Sequence, residues 1–206
     1  MGDTSKRLRA TDLAVRRGGR ELISGLSFSL DAAQIAVLVG PNGSGKTSLL
    51  RVLAGLSPAA AGEITWDGKP LHRLLPEQRA EISYRGHLDG LKKDLTVAEN
   101  LEFYRSLYGS TQDLPGLLTA LSIHDFAGQQ LRFLSAGQRR RVGLAALKLS
   151  AAHLWILDEP MTNLDVEGRR LVSTWIDAHL ASGGLAIVAT HQPGEVAGSG
   201  SLMIEL

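Results

Sequence analysis

The chain has 206 residues, of which 44% are hydrophobic, and this length and composition fit one globular domain with a buried core. Its 22 lysines and arginines nearly balance 21 acidic residues, so no net charge draws the whole molecule to nucleic acid, and no nucleic-acid partner is expected. The absence of cysteine excludes disulfides and thiolate metal sites. We expect neither a secretory signal nor a membrane-spanning segment, because the chain starts with polar residues and its apolar runs are short.

The first part of the chain combines strands with one helix. Alternating apolar and polar residues predict half-buried strands at 8–15 and 26–30, with Gly18-Gly19 as the turn between them. The apolar run at 35–39 predicts a buried strand, which a glycine-rich turn connects to a helix with leucines along one face. A further strand is predicted at 62–66.

The second part of the chain returns to strands and helices after a mainly helical stretch. Residues from about 88 to 135 are predicted to form a helical insertion. Alternation then resumes with a helix from about residue 136, a strand at 154–157, a helix near 166–180 and a strand at 185–190. The pattern predicts one α/β domain over residues 1–206 without a linker or internal repeat.

A complete phosphate-binding motif stands between the 35–39 strand and its helix. The residues are Gly40-Pro41-Asn42-Gly43-Ser44-Gly45-Lys46-Thr47, which match G-x-x-x-x-G-K-[ST] in full. Glycines let backbone N–H groups curl around an anion, and the helix N-terminus adds partial positive charge. We expect Lys46 to reach the terminal phosphates of ATP, Thr47 to bind Mg²⁺ and Ser48 to contact phosphate.

Two carboxylates follow the strand at 154–157. The carboxyl ends of parallel strands are where doubly wound sheets bind ligands, so Asp158 and Glu159 are predicted to lie in the site. Asp158 would hold Mg²⁺ through its water shell, and Glu159 would polarise the water that attacks the γ-phosphate.

His191 follows the last predicted strand and is expected at the same sheet edge as Glu159. It could hydrogen-bond the γ-phosphate there, or it could be a structural histidine without a ligand.

A second anion site is predicted at the helix that starts near residue 136. Ser135 and Gln138 have the spacing of a capping box, with Gly137 between them. Simple helix capping without a ligand explains this pattern. Since one chain has one P-loop, the alternative is that this helix faces ATP held by a second copy, in a head-to-tail dimer.

In their order along the chain, these motifs resemble those of the nucleotide-binding subunits of ABC transporters. The resemblance covers nearly the whole chain and implies a P-loop NTPase cassette, with a RecA-like core, an antiparallel β subdomain and a helical subdomain. It implies that Ser135, Gly137 and Gln138 contact ATP held by a second copy, and that His191 is the switch histidine. It also implies a D-loop at Leu164-Asp165 and separate transmembrane subunits as partners.

Three positions depart from the usual pattern of that family. The resemblance places the family's signature segment at Leu134 to Gln138, and within it Ala136 replaces a glycine and so adds a methyl group. His87 stands where the family has the Q-loop glutamine. Its imidazole could still hydrogen-bond a magnesium-bound water or the attacking water, but with a geometry different from that of an amide. Arg17 stands where an aromatic residue stacks on adenine, and a guanidinium could replace it with looser nucleotide selectivity.

Within the ABC family, the segment from Tyr84 to Lys92 is similar to the haem exporter ATP-binding subunits of cytochrome c maturation. That resemblance implies a peripheral subunit on the cytoplasmic face of the bacterial inner membrane, where ATP hydrolysis frees a haem-loaded chaperone. No haem binding by this chain is expected, since it lacks a Cys-x-x-Cys-His motif. The alternatives are the ATPase subunit of another small exporter and a soluble ABC switch without a transport role.

Overall fold

A computed structural model of the chain describes residues 7–86, 90–196 and 201–206. These residues form two compact units. The first comprises the described residues of Met1–Gly86, Ala152–Pro160 and Trp175–Leu206, and the second comprises those of His87–Ala151 and Met161–Thr174.

The described strands and α-helices are numbered in chain order. They are β1 (Arg7–Arg17), β2 (Arg20–Asp31), β3 (Ile35–Val39), α1 (Lys46–Leu53), β4 (Ala61–Trp66), β5 (Lys69–Pro70), α2 (Pro76–Ala80), β6 (Ile82–Arg85), α3 (Val97–Tyr108), α4 (Leu114–Ala120), α5 (Ala136–Lys148), β7 (Leu154–Asp158), α6 (Val166–Ala181), β8 (Leu185–Ala189) and β9 (Leu202–Glu205).

The first unit contains an antiparallel sheet of strand order β2-β1-β4-β5. Its longest strands, β1 and β2, form a hairpin in which Arg17 pairs with Arg20. Gly18 and Gly19 make the turn with φ of +57° and +79°, backbone angles that glycine adopts without a steric penalty. The predicted turn at these two glycines is confirmed.

The same unit contains a parallel sheet of strand order β6-β7-β8-β3-β9. The three central strands are continuous apolar runs with almost every side chain buried, as expected when helices or other layers cover both faces of a parallel sheet. Because the strands are parallel, the carboxyl ends of β3, β7 and β8 lie at one edge. The segments that follow β3, β7 and β8 therefore lie next to each other at this edge.

Helix α1 is anchored to the core of the first unit. Leu49, Leu50 and Leu53 are fully buried on its inner face, and the helix contacts β1, β7 and β8. Each such leucine contributes about 1.5–3 kcal/mol through removal of its side chain from water. The packing holds the N-terminus of α1 at the edge of the parallel sheet where β3, β7 and β8 end.

The second unit is helical. Helix α3 starts at a capping box in which the Thr96 hydroxyl accepts the Glu99 N–H at 3.2 Å and Glu99 accepts the Thr96 N–H at 2.8 Å. It ends at Gly109, whose φ is +60°. Leu101 is fully buried on α3, which packs against α5. The unit includes α5 and the first part of α6 besides the predicted insertion.

The predicted α/β class is confirmed, and most strands and helices predicted outside the insertion are found within two residues of their expected bounds. The exception is β2, which begins at Arg20, six residues before the predicted start of its strand at residue 26. The sequence patterns missed β5, α2, β6 and β9. Strand β6 is short and only half-buried at the edge of the sheet, so its side chains show neither strict alternation nor a continuous apolar run. Among the described residues, no helix combines the length and apolarity that crossing a bilayer requires.

Candidate functional site

Gly40 opens the loop that joins β3 to α1. A Cβ at this position would lie 2.5 Å from the backbone oxygen of Leu206 and 2.9 Å from the Ser44 hydroxyl, so only glycine fits. At the other end of the loop, Gly45 has φ +112° and forms the N-cap of α1 without a capping side chain. Pro41, Asn42 and Gly43 are exposed between them. The first N–H groups of α1 are therefore open to an external anion.

Lys46 and Ser44 add side-chain donors to this loop. The Lys46 residue is only 7% exposed, and its ammonium donates to the carbonyl oxygens of Gly40 at 2.7 Å and Pro41 at 3.0 Å. The Ser44 hydroxyl is buried and makes no hydrogen bond to any residue that the structure describes. A buried ammonium that contacts neutral carbonyls is stabilised further when an anion supplies the opposite charge. The loop fits the phosphates of a nucleotide.

Thr47 and Asp158 meet at the sheet edge. The Thr47 hydroxyl donates to Oδ2 of Asp158 at 2.7 Å, although the residues are 111 positions apart in the chain. Asp158 ends β7 and is 4% exposed. A hydroxyl and a carboxylate are hard oxygen donors of the kind Mg²⁺ prefers, so this pair fits the predicted metal site.

Tyr84 on β6 contributes to the electrostatics near Asp158. Burial raises the pKa of the Tyr84 phenol, and the negative charge of Asp158 raises it further, whereas Arg51 lowers it. The phenol is therefore neutral at physiological pH, and Asp158 supplies the negative charge at this edge.

Glu159 and His191 also come together. β7 and β8 pair in parallel, with Asp158 opposite Ala189, so the residues that follow each strand emerge side by side. Glu159 Oε1 lies 3.2 Å from His191 Nε2, and the side chains are 22% and 49% exposed, respectively. Glu159 has φ +51°, an uncommon angle for a residue with a side chain. The two side chains form an acid-imidazole pair in which both residues are partly exposed but the facing oxygen, Glu159 Oε1, is buried.

A cavity of about 360 Å³ adjoins the phosphate-binding loop in the first unit. Thr47 and Ser48 line it together with Arg16, Arg17 and Arg51. Arg17, predicted to take the place of an adenine-stacking aromatic, therefore shares a cavity with the start of α1. The pocket has the volume of a small-molecule site.

Arg51 was missed in the sequence reasoning. The spacing in the sequence could have indicated it, because Arg51 follows Thr47 by four residues on α1 and residues at this spacing share a helix face. The missing information was which face of α1 borders the cavity, and that depends on the burial of the leucines on the opposite face.

The predicted second anion site lies in the second unit. Ser135 is the N-cap of α5, and its hydroxyl accepts the Gln138 N–H at 3.1 Å while Gln138 Oε1 accepts the Ser135 N–H at 2.7 Å. The capping box is formed, which agrees with both alternatives, since a formed cap does not reveal whether the helix also contacts a ligand.

Gly137 has a structural reason to be glycine. A Cβ there would lie 2.7 Å from the backbone oxygen of Asn163, within the same unit. The 161–165 segment is also tied to α5 by Arg141, whose guanidinium donates to both carboxylate oxygens of Asp165 at 2.7 and 2.9 Å. The Gly168 N–H lowers the pKa of Asp165, and Arg141 lowers it further. These contacts hold the first two turns of α5 against the segment that precedes α6.

His87, predicted to act on the attacking water, lies outside the described residues. The remaining site residues predicted in the first unit lie together at or beside the carboxyl edge of the parallel sheet.

Comparison with known proteins identifies the family. A sequence profile described as ABC transporter matches residues 23–162, a span that includes the phosphate-binding loop, Ser135 and Asp158. The chain belongs to the ABC transporter family. Two solved ABC structures share the fold: an ATP-binding protein from Pyrococcus furiosus, with TM-score 0.81 and 24% identity over 97% of both chains, and an ABC ATP-binding subunit, with TM-score 0.81 and 24% identity over 89% of this chain and 79% of that one. The predicted cassette fold is confirmed.

Curated relatives within the ABC family share much more of the sequence. One from Nitrosospira multiformis is 44% identical over 202 residues, which cover 97% of this chain and 98% of the relative. One from Escherichia coli K12 is 44% identical over 192 residues, which cover 93% and 92%. Both are named cytochrome c biogenesis ATP-binding export protein CcmA. Family membership makes the chain an ATP-binding ATPase subunit.

Proposed function

We propose that the chain is the ATP-hydrolysing subunit of an ABC complex in cytochrome c biogenesis, and that it serves haem export or release of a haem-loaded chaperone. The observation that carries this assignment is the 44% identity, over 97% of the chain, to a relative named for that process. The geometry of the phosphate-binding loop and the sheet edge supports the ATPase part independently.

The loop residues would hold the nucleotide by charge and by backbone donors. Lys46 would move its hydrogen bonds from the neutral carbonyls of Gly40 and Pro41 to phosphate oxygens, and Ser44 would gain its missing acceptor. Ser48 lies one residue after Thr47 at the same end of α1. Together these groups would orient the phosphate chain at the N-terminus of α1.

Thr47 and Asp158 would hold Mg²⁺, since their oxygens already lie 2.7 Å apart. The ion supplies positive charge against the phosphate oxygens when bound. Glu159 would orient a water molecule and accept its proton, and His191 would position the Glu159 carboxylate through the 3.2 Å contact or hydrogen-bond the γ-phosphate. His87 remains a predicted contributor to water positioning.

The partners follow from the single phosphate-binding loop in the chain. We propose that a second copy places its Ser135, Gly137 and Gln138 on the ATP held by the first, in a head-to-tail dimer. Separate transmembrane subunits would carry the complex, with this chain peripheral on the cytoplasmic face of the bacterial inner membrane.

The function is tested in cells of the native host that carry only the Glu159→Gln form. Hydrolysis should stop because the amide cannot accept a proton, and haem-stained c-type cytochromes should fall to background. Glu167→Gln is the matched control, since it makes the same change at an exposed position in the first turn of α6.

The control cells should retain normal cytochrome c. Normal haem staining in the Glu159→Gln cells, at equal protein abundance and with ATPase activity lost in the purified protein, would show that the ATPase serves a different process.

A further inference from the structure

The cavity beside α1 is positioned to receive the nucleoside end of a nucleotide. It shares Thr47 and Ser48 with the phosphate-binding end of the site, and its volume is about 360 Å³. A nucleotide with its phosphates on Lys46 and the N-terminus of α1 would extend its ribose and base into this space. In that pose, the residues around the cavity would determine which base is favoured.

The cavity is unusual in its charge. Of its three arginines, Arg16 is engaged by Glu21, with Nη2 3.1 Å from the carboxylate. Neither Arg17 nor Arg51 has a side-chain hydrogen bond or ion pair with a described residue, although the charge of Arg51 is close enough to the Tyr84 phenol to lower its pKa. No described residue that lines the cavity is acidic or aromatic. Two guanidinium groups in the lining can therefore donate hydrogen bonds to a bound base, and none of the described lining residues offers an aromatic ring for base stacking.

Guanidinium groups distinguish between purines by hydrogen-bond pattern. Guanine and hypoxanthine present adjacent acceptors at O6 and N7, which match two parallel N–H donors of arginine. Adenine presents an acceptor at N7 beside an amino donor at N6, so a guanidinium makes one hydrogen bond and faces a second donor. An arginine-lined pocket consequently favours an oxo group at purine position 6.

We propose that this pocket binds 6-oxopurine nucleotides more tightly than adenine nucleotides, through Arg17 and Arg51, so that GTP is a substrate alongside ATP. The inference rests on the proposed nucleotide function of the same site. Because the arginines are exposed, we expect their discrimination between bases to lie at the low end of the range for arginine contacts. The dissociation constant for a 6-oxopurine nucleotide should then be about fivefold lower than that for ATP.

Calorimetric titration of the purified full chain with MgATP, MgGTP and MgITP tests the proposal. MgGTP and MgITP should each bind about fivefold more tightly than MgATP. MgITP isolates the contribution of O6 and N7, because inosine lacks the 2-amino group of guanosine. Arg17→Gln and Arg51→Gln should each reduce the preference, and the double variant should abolish it.

The matched control is Arg20→Gln, which removes an arginine opposite Arg17 in the same hairpin but outside the cavity, and it should keep the fivefold preference. Equal or tighter binding of MgATP, a preference for MgGTP that MgITP does not share, or a preference unaltered in the double variant would each overturn the proposal. Lack of binding of all three nucleotides would instead contradict the ATPase function itself.

Discussion

Ser44 illustrates how a single residue reports on function. Its hydroxyl is buried without a hydrogen-bond partner among the described residues, an arrangement that costs about 1–3 kcal/mol. A residue kept for stability would not carry that cost. An acceptor supplied by a phosphate oxygen would offset it, because hydrogen bonds to charged groups contribute about 1.5–3 kcal/mol.

Ser44→Ala should therefore change stability and binding in opposite directions. Without nucleotide, the free energy of unfolding should stay equal or rise by up to about 1 kcal/mol, since an unsatisfied polar group is removed. The affinity for MgATP should fall about tenfold, the equivalent of one charged hydrogen bond. Chemical denaturation and calorimetry measure the two quantities.

Ser150→Ala is the control for this prediction, because the Ser150 hydroxyl donates to the Leu147 carbonyl oxygen at 2.7 Å in the second unit. It should lower stability and leave MgATP affinity unaltered. A loss of stability in Ser44→Ala with no change in affinity would indicate a structural role for the hydroxyl.

At the scale of secondary structure, α3 and α5 begin with the same device. Thr96 with Glu99 and Ser135 with Gln138 both form complete capping boxes. The Thr96 N–H and hydroxyl lower the pKa of Glu99, so the contribution of that carboxylate to the cap is lost as pH falls through its lowered pKa. Both caps are formed within their own helix, so the local structure does not show whether either one also contacts a ligand.

Comparing Thr96→Ala with Ser135→Ala tests whether Ser135 is only a helix cap or also contacts ATP. Each should lower the free energy of unfolding by about 1 kcal/mol, the usual value of an N-cap. Only Ser135→Ala should also lower ATPase activity, by more than about tenfold, if Ser135 contacts ATP bound to a second copy. Equal activity in the two variants at equal folded fraction would leave Ser135 as a helix cap alone.

At the scale of the whole molecule, one chain has too few nucleotide-binding motifs to form the proposed two-chain ATP site alone. The sequence contains one phosphate-binding loop and one signature segment, so a complete composite site as proposed requires a second copy. Stopping hydrolysis while retaining binding should therefore accumulate the dimer, because the step that separates the copies no longer occurs.

With MgATP, Glu159→Gln should elute in size-exclusion chromatography with light scattering at about twice the chain mass of 22.0 kDa. Without nucleotide it should elute as a monomer. The Lys46→Ala/Glu159→Gln double variant should remain monomeric in MgATP, because it lacks the ammonium that binds the phosphates. A monomer of Glu159→Gln saturated with MgATP would contradict the head-to-tail arrangement.

The sequence alone was sufficient for features that depend on neighbouring residues. The phosphate-binding loop, the capping box at Ser135 and the buried strands could be predicted because each is encoded in a contiguous segment. The rule that parallel strands end at one edge also allowed Glu159 and His191 to be expected together. Short or half-buried elements such as β6 and β9 were missed because their patterns are too weak to distinguish from loops.

Tertiary structure alone decided the features that join distant segments. The 2.7 Å contact between Thr47 and Asp158 depends on how α1 packs on β7 and β8. The same packing turns Arg51 into the cavity with Arg17, and the close approach of the Asn163 oxygen explains why position 137 is glycine. No local pattern encodes these distances, because they follow from burying one face of each element in a shared core, which only the folded chain brings together.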